Sequence, residues 1–282
     1  QDLQPTPVRW SFGKKLAFLF FLLFFPLYIF FNPNGIVPFS EYVFDYYIDP
    51  FHNLIPWIAK NILHLSYDIT VFTNGSGDTT YDYVVVLFIV VLSMAGALAW
   101  ALLDRKRNGY NQLYHWLTVV VRYYAAFTML TYGFVKVFKL QFPAADPWRL
   151  LQPYGDSSPM GLAWTFMGYS EGYNYFTGGA EVLGGLLLLF RRTTTLGALV
   201  TFAVMGNVMA MNYSYDIPVK LLSTMLVIMA LFLMAKDMYR LYNFFIANKT
   251  APPSNITPPP IRNRALRVSL VVIKSLLIIY YV

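Results

Sequence analysis

Long apolar runs leave this chain few structures to fold into. A helix needs about 20 mainly apolar residues to cross the hydrocarbon of a bilayer, and seven stretches approach that length: roughly 16–31, 83–103, 115–139, 174–190, 194–212, 219–235 and 265–282. In hydrocarbon only helices and closed barrels satisfy their own backbone, and continuous runs lack the alternation of a barrel strand. The expected fold is all-α, a polytopic membrane bundle of about seven transmembrane helices. Charge agrees: charged residues make up 12% of the chain and hydrophobic residues 57%, against about 25% charged residues in an ordinary soluble domain. There is too little charge to cover a soluble surface, and no long polar block that could form a separate soluble domain.

The loops can be tested for sidedness, because Lys and Arg collect on the cytoplasmic side. Arg9, Lys14 and Lys15 precede the first run, Arg105, Lys106 and Arg107 follow the second, and Arg191 and Arg192 follow the fourth. Lys236, Arg240, Lys249, Arg262, Arg264 and Arg267 lie between the sixth and the seventh. All fall on one side when the N-terminus is cytoplasmic, while the opposite loops hold mostly Asp and Glu. The net charge of +7 is thereby explained by topology, and no nucleic-acid partner is expected. A signal peptide at the first run is not expected either, since no small-residue cleavage site follows and Asn32-Pro33-Asn34-Gly35 reads as a turn. Such a chain belongs in a membrane with its N-terminus cytoplasmic, and the lipid bilayer is its first partner.

Two external segments are too long for simple turns. In 32–82, Phe51, Leu54, Ile55, Ile58, Ile62 and Leu65 recur at helical spacing and suit a helix lying in the interface. In 140–173, Ser158 before Pro159 reads as an N-cap with a favoured first helical residue, opening a short helix from Met160 to Met167. On the internal side, residues 251–260 carry five prolines, a stiff linker before the last run.

Ionisable groups within a span need a partner, a wet cavity or a route to the surface. Arg122, Lys136, Lys139, Glu181 and Lys274 are such groups. Lys136 and Glu181 both fall near the external ends of their runs, as does Asn207, and Asn212, Asp216 and Lys220 follow around the next turn. Arg122 and Lys136 are 14 residues apart, close to four helical turns, so they share a face near Tyr132 and Gly133. Gly178, Glu181 and Gly185 form one stripe, and Ala203, Gly206 and Ala210 another, which predicts close helix packing that holds Glu181 near Lys136 and Asn207. A polar outer-leaflet pocket is one reading. A buried ion pair that locks helices in register, with Lys136 snorkelling, is the plainer one. Trp148, Trp164, Tyr169 and Tyr173 could line an entrance or lid for a flat apolar ligand such as a quinone, or simply form an aromatic belt. His52, His64 and His115 do not have metal-ligand spacing, so no metal site is expected, and the absence of cysteine removes thiol redox chemistry.

Three segments carry a family likeness: "VVRYYAAFTMLTYGFVKVF", "GGAEVLGGLLLLFRRTTTLGALV" and "NYSYDIPVK", in that order. Residues of about 115–240 thereby resemble the DoxX-like family of bacterial four-helix membrane proteins. The resemblance implies a four-helix core at 111–245, and the runs and loops outside it divide the rest into 1–110, with two spans and a long external insert; 246–264, the proline-rich cytoplasmic linker; and 265–282, a seventh span. It also implies a polar core at Arg122, Lys136, Glu181, Asn207, Asp216 and Lys220. Members of the family are linked to thiosulfate:quinone oxidoreductase subunits and membrane redox complexes, and distant relatives act as assembly factors or cargo receptors. The expected function is an accessory or scaffold subunit with a pocket for quinone, lipid or a partner segment, working with a membrane-protein partner or as a homo-oligomer. A quinone-linked oxidoreductase subunit and a small-solute transporter are the alternatives.

Overall fold

The structure, a computed structural model, describes residues 9–36, 40–71 and 78–254, together with 263, 265, 268–269, 271–272 and 275–276. Lys274 and most of the expected seventh span and proline linker lie outside the described residues. Among the described residues every regular element is helical. The chain divides into two compact units, 1–120 and 121–282, and the division falls inside a helix.

The first unit contains α1 (Phe12–Phe31), α2 (Ser40–Asn61), α3 (Thr80–Leu103) and the start of α4 (Asn111–Val137). α1 begins where the Ser11 side chain accepts the Lys14 N–H at 3.3 Å. It ends at the turn foreseen in the sequence, where Gly35 takes a φ of +67°, a conformation open to glycine at little cost. A capping box between Thr79 and Asp82 opens α3, satisfying two backbone donors that the first turn would otherwise leave unpaired. α1 packs against α3, and at Gly96 a Cβ would stand 2.7 Å from the Leu23 Cδ1, so glycine there lets the two helices close. At the same end Trp10 meets the rings of Phe18, Tyr110 and Tyr114 at 5.4 to 6.4 Å. Lys15, read from sequence only as a topological charge, is buried and donates to the Arg107 carbonyl.

The helix expected in this segment is α2, and part of its apolar surface is buried and part exposed. Ile48, Ile55 and Ala59 are buried, whereas Leu54, Trp57 and Ile62 are exposed. Phe51 sets the orientation by meeting Phe31 at 4.7 Å and Phe88 at 6.4 Å. The apolar residues of this segment cover more than one face, so periodicity alone left the buried face undetermined.

The second unit continues α4 and adds α5 (Pro147–Leu151), α6 (Pro159–Tyr169), α7 (Glu171–Leu189), α8 (Thr194–Ser214), α9 (Lys220–Ala235) and α10 (Met238–Phe245). α6 starts as predicted, with the Ser158 Oγ accepting the Gly161 N–H at 3.0 Å and Pro159 in the first turn. α7 begins earlier than expected because Ser170 caps it, accepting the Tyr173 N–H at 3.2 Å. α7 packs on α8 and α8 on α9.

By length and composition three helical segments among the described residues can cross a bilayer, α1, α3 and Arg191–Ser214, and a fourth if α9 and α10 are taken together. α4 and α7, with 27 and 19 residues, have the length but contain Arg122, Lys136 and Glu181, which lower their apolarity. These helices make the chain compatible with a membrane protein.

α9 and α10 meet at an 84° bend, and Asp237 at that bend is a clamp. Its carboxylate accepts from the Thr195 hydroxyl, from Arg240 Nη1 at 3.0 Å and from Ser254 Oγ at 3.0 Å, and Arg240 Nε donates to the Pro252 carbonyl at 2.6 Å. Burial pushes the Asp237 carboxyl up, but the hydrogen bonds from Thr195, Arg240 and Ser254 and the charge of Lys236 outweigh it and hold the group below the ordinary aspartate range. A depressed carboxyl contributes stability that is full above the unfolded value and is lost as pH falls through the folded one. The docking of α10 should accordingly be flat through neutral pH and fail only in strong acid. Asp237→Asn should speed amide exchange within α10 several-fold at neutral pH and leave α8 and α9 unchanged, as read by hydrogen–deuterium exchange.

Candidate functional site

The glycines of α4 and α7 fix where the charged side chains meet. A Cβ on Gly178 would stand 2.7 Å from the Gly133 carbonyl oxygen, one on Gly133 would stand 2.9 Å from the Gly178 oxygen, and one on Gly185 would stand 2.8 Å from the Ala126 oxygen. The helices are antiparallel and touch backbone to backbone, with Gly133 opposite Gly178 and Ala126 opposite Gly185. In that register Glu181 lies level with Leu130, six residues below Lys136, or about 9 Å along the axis at 1.5 Å per residue. Cβ atoms tilt toward a helix N-terminus, so in this antiparallel pair the two side chains lean toward each other. Lys136 Nζ donates to Glu181 Oε1, and the residues are only 4% and 1% exposed.

The pair is neutral as a whole but incompletely bonded. Glu181 Oε2 is buried without a hydrogen-bond partner among the described residues, as is Oε1 of Gln141 in the loop after α4. Both residues line one cavity of about 40 Å³, together with Thr128, Tyr132, Trp164 and Asn212. A buried water needs roughly 10–15 Å³ of such space, so about three fit here, and the two uncommitted oxygens supply acceptors. A drug-sized ligand occupies roughly 300–1,000 Å³, well beyond the cavity as it stands.

The segment between α4 and α7 covers the cavity. Phe142 is buried and meets Trp164 edge-on at 5.0 Å. The lid is tied down at Gly168, where a Cβ would stand 2.2 Å from the Pro143 oxygen. Asn174 Nδ2 completes the tie by donating to the Met167 carbonyl at 2.6 Å. On the opposite wall Asn212 Nδ2 donates to Ser223 Oγ at 3.0 Å and to the Val219 carbonyl at 3.2 Å, pinning α8 to α9.

No family model matches the chain, and no solved structure does. Over 124 residues, 44% of this chain and 79% of its relative, it is 37% identical to the uncharacterized protein YwoB of Bacillus subtilis strain 168. The chain belongs to the family of YwoB. The likeness to YwoB carries no ligand or reaction with it, and it leaves more than half of this chain unmatched. The chemistry of this YwoB relative therefore has to come from its own side chains.

Of the residues expected to gather, Tyr132, Lys136, Glu181 and Asn212 line the cavity. Asn207 does not: it is exposed on α8. The inward face of α8 carries Gly197, Ala198, Thr201, Met205 and Asn212, and Asn207 lies about 200° around the helix from Met205. The stripe of Ala203, Gly206 and Ala210 shares that outward side, and at Gly206 a Cβ would meet nothing within 4 Å. Asp216 is exposed, and its carboxylate accepts from Lys220 at 2.6 Å away from the cavity lining.

Arg122 shares the buried face of α4 but sits about 21 Å from Lys136 along the axis. There its guanidinium donates to Thr194 Oγ1 at 3.3 Å and lies over the Tyr123 ring at 4.9 Å. Lys139 pairs with Glu171 at 3.4 Å. Among the entrance candidates Trp164 lines the cavity, whereas Trp148, Tyr169 and Tyr173 are exposed and take no part in the lining. Sequence reasoning missed Thr128, Gln141, Phe142, Asn174 and Ser223. Ser223 was visible as a small polar interruption in an apolar run. Gln141 and Phe142 gave no signal, because only the lid's fold brings them over Glu181.

Proposed function

We propose that this chain is an accessory, non-catalytic subunit of a membrane assembly, of DoxX-like type, with seven spans and a cytoplasmic N-terminus in a bacterial inner membrane. On this reading the second unit presents a covered polar chamber in the outer-leaflet half, which receives a headgroup or side chain of a lipid, quinone or partner segment when the Phe142–Trp164 cover opens. One observation carries the reading: Glu181 is fully buried, lines the cavity, is neutralised by Lys136 on one oxygen, and has no protein partner among the described residues on the other.

The same oxygen beside a cavity of water size also favours a second reading, a proton-accepting role in a quinone-linked oxidoreductase. The two separate experimentally. A stable membrane-protein partner that copurifies from native membranes, without quinone reduction by the purified protein, supports the accessory subunit. Turnover of a quinone analogue with thiosulfate or a similar donor supports the enzyme.

For either reading Glu181→Gln should reduce partner copurification or turnover at least tenfold, while the exposed control Glu171→Gln should not. Equal, negligible effects of the two would remove the chamber from the function.

A further inference from the structure

The second unit ends in a helix that turns the wrong face outward for water. Along α10 and the residue that caps it, Met238, Tyr239, Tyr242, Phe245 and Ile246 share one arc of about 120°, and all are exposed, Tyr239 to 68%, Phe245 to 66% and Ile246 to 73%. The side held inward is marked by polar groups, Asn243 at 6% exposed and Arg240 tied to Asp237 and to the Pro252 carbonyl, while Phe244, outside the arc, is exposed as well, to 65%. A surface helix in water does the reverse, burying its apolar stripe. The Asp237 clamp fixes this orientation, so the arc cannot roll inward.

We infer that α10 lies in the headgroup layer of the membrane with this arc toward the acyl chains, and that it prefers a leaflet carrying anionic phospholipid. The 84° bend from α9 sets α10 in the plane of the bilayer when α9 stands across it. Two tyrosines on the arc suit the headgroup boundary. From Lys236 to Ser254 the chain has Lys236, Arg240 and Lys249 against Asp237 alone, and that carboxylate is already engaged. Lys236 and Lys249 are exposed, as is Arg192 in the turn before α8, whose Thr195 contacts Asp237. Basic side chains beside an apolar helix face are the composition that binds anionic lipid surfaces.

The inference rests on the membrane reading of α9 and not on the chamber. The chain has no cysteine, so single nitroxide labels can be placed on the full-length protein at Tyr239→Cys, Tyr242→Cys and Ile246→Cys. Leu231→Cys on α9 and Asn248→Cys serve as controls. In vesicles of phosphatidylcholine with phosphatidylglycerol, collision with oxygen should exceed collision with a water-soluble nickel complex at 231, 239, 242 and 246, and the order should reverse at 248. The excess at 239, 242 and 246 should shrink severalfold in pure phosphatidylcholine, with no change at 231.

Labels at 239 and 246 open to nickel, or shielded from both reagents by another segment or protein, would overturn the interfacial helix. An excess identical in the two lipids would overturn the anionic preference. Nickel access at 231 would instead fail the membrane reading of α9 itself.

Discussion

Glu181→Leu alone should destabilise the second unit by about 3–5 kcal/mol, the range seen when one partner of a buried ion pair is removed. The reason is Lys136, which is 4% exposed and has Glu181 as its one hydrogen-bond acceptor among the described residues. Stripped of that carboxylate, its ammonium must stay charged with little more than a few confined waters to solvate it, lose its proton, or drag α4 toward bulk water. Adding Lys136→Met should restore most of the loss, because replacing both members of a buried pair by apolar side chains of similar volume is often neutral or stabilising. The check is a double-mutant cycle on reversible unfolding in detergent. Additive losses from the two substitutions would mean that the side chains do not depend on each other.

The second large effect belongs to glycine. Gly178→Val should prevent α4 and α7 from docking, because its Cβ would stand 2.7 Å from the Gly133 carbonyl oxygen, and backbone, unlike a flexible side chain, cannot swing aside. Even Gly178→Ala meets that oxygen, and overpacking of this kind costs about 1–3 kcal/mol. Gly179 is the internal control, since a Cβ there meets nothing within 4 Å. Gly179→Ala should gain roughly 0.5–1 kcal/mol, the usual advantage of alanine over glycine within a helix. Thermal unfolding of the three variants in one detergent gives the comparison, and a Gly178→Ala variant as stable as Gly179→Ala would contradict backbone contact at this crossing.

How far the sequence reached depended on which physical rule each residue obeys. Apolar runs placed the helices because hydrocarbon demands length and apolarity. Lys136 and Glu181 could be paired in advance because a membrane charge needs a partner and the glycine stripe brings helices close. Gly178 and Gly185 do so, but against α4, where Gly133 and Ala126 offer bare backbone. The stripe of Ala203, Gly206 and Ala210 looked the same in sequence and faces outward. Small residues permit approach without choosing a neighbour, and α8 was oriented instead by Thr201, Met205 and Asn212. Asn207 was misplaced for the same reason, since it lay at the right depth on the wrong side. The lid residues Gln141 and Phe142 were illegible because they belong to an irregular segment whose path depends on the tie between Gly168, Pro143 and Asn174. The outward arc of α10 could not be read either, since an amphipathic helix does not announce which of its faces the Asp237 clamp will hold.

Lys136 and Glu181 meet inside the second unit. Solid-state NMR on the protein in lipid bilayers measures this directly, through dipolar recoupling between the ¹⁵Nζ of lysine and the ¹³Cδ of glutamate. A short-range coupling to a deprotonated carboxylate is expected, and it should disappear in Lys136→Met. A Glu181 carboxyl that is protonated and shows no lysine coupling would contradict the pairing.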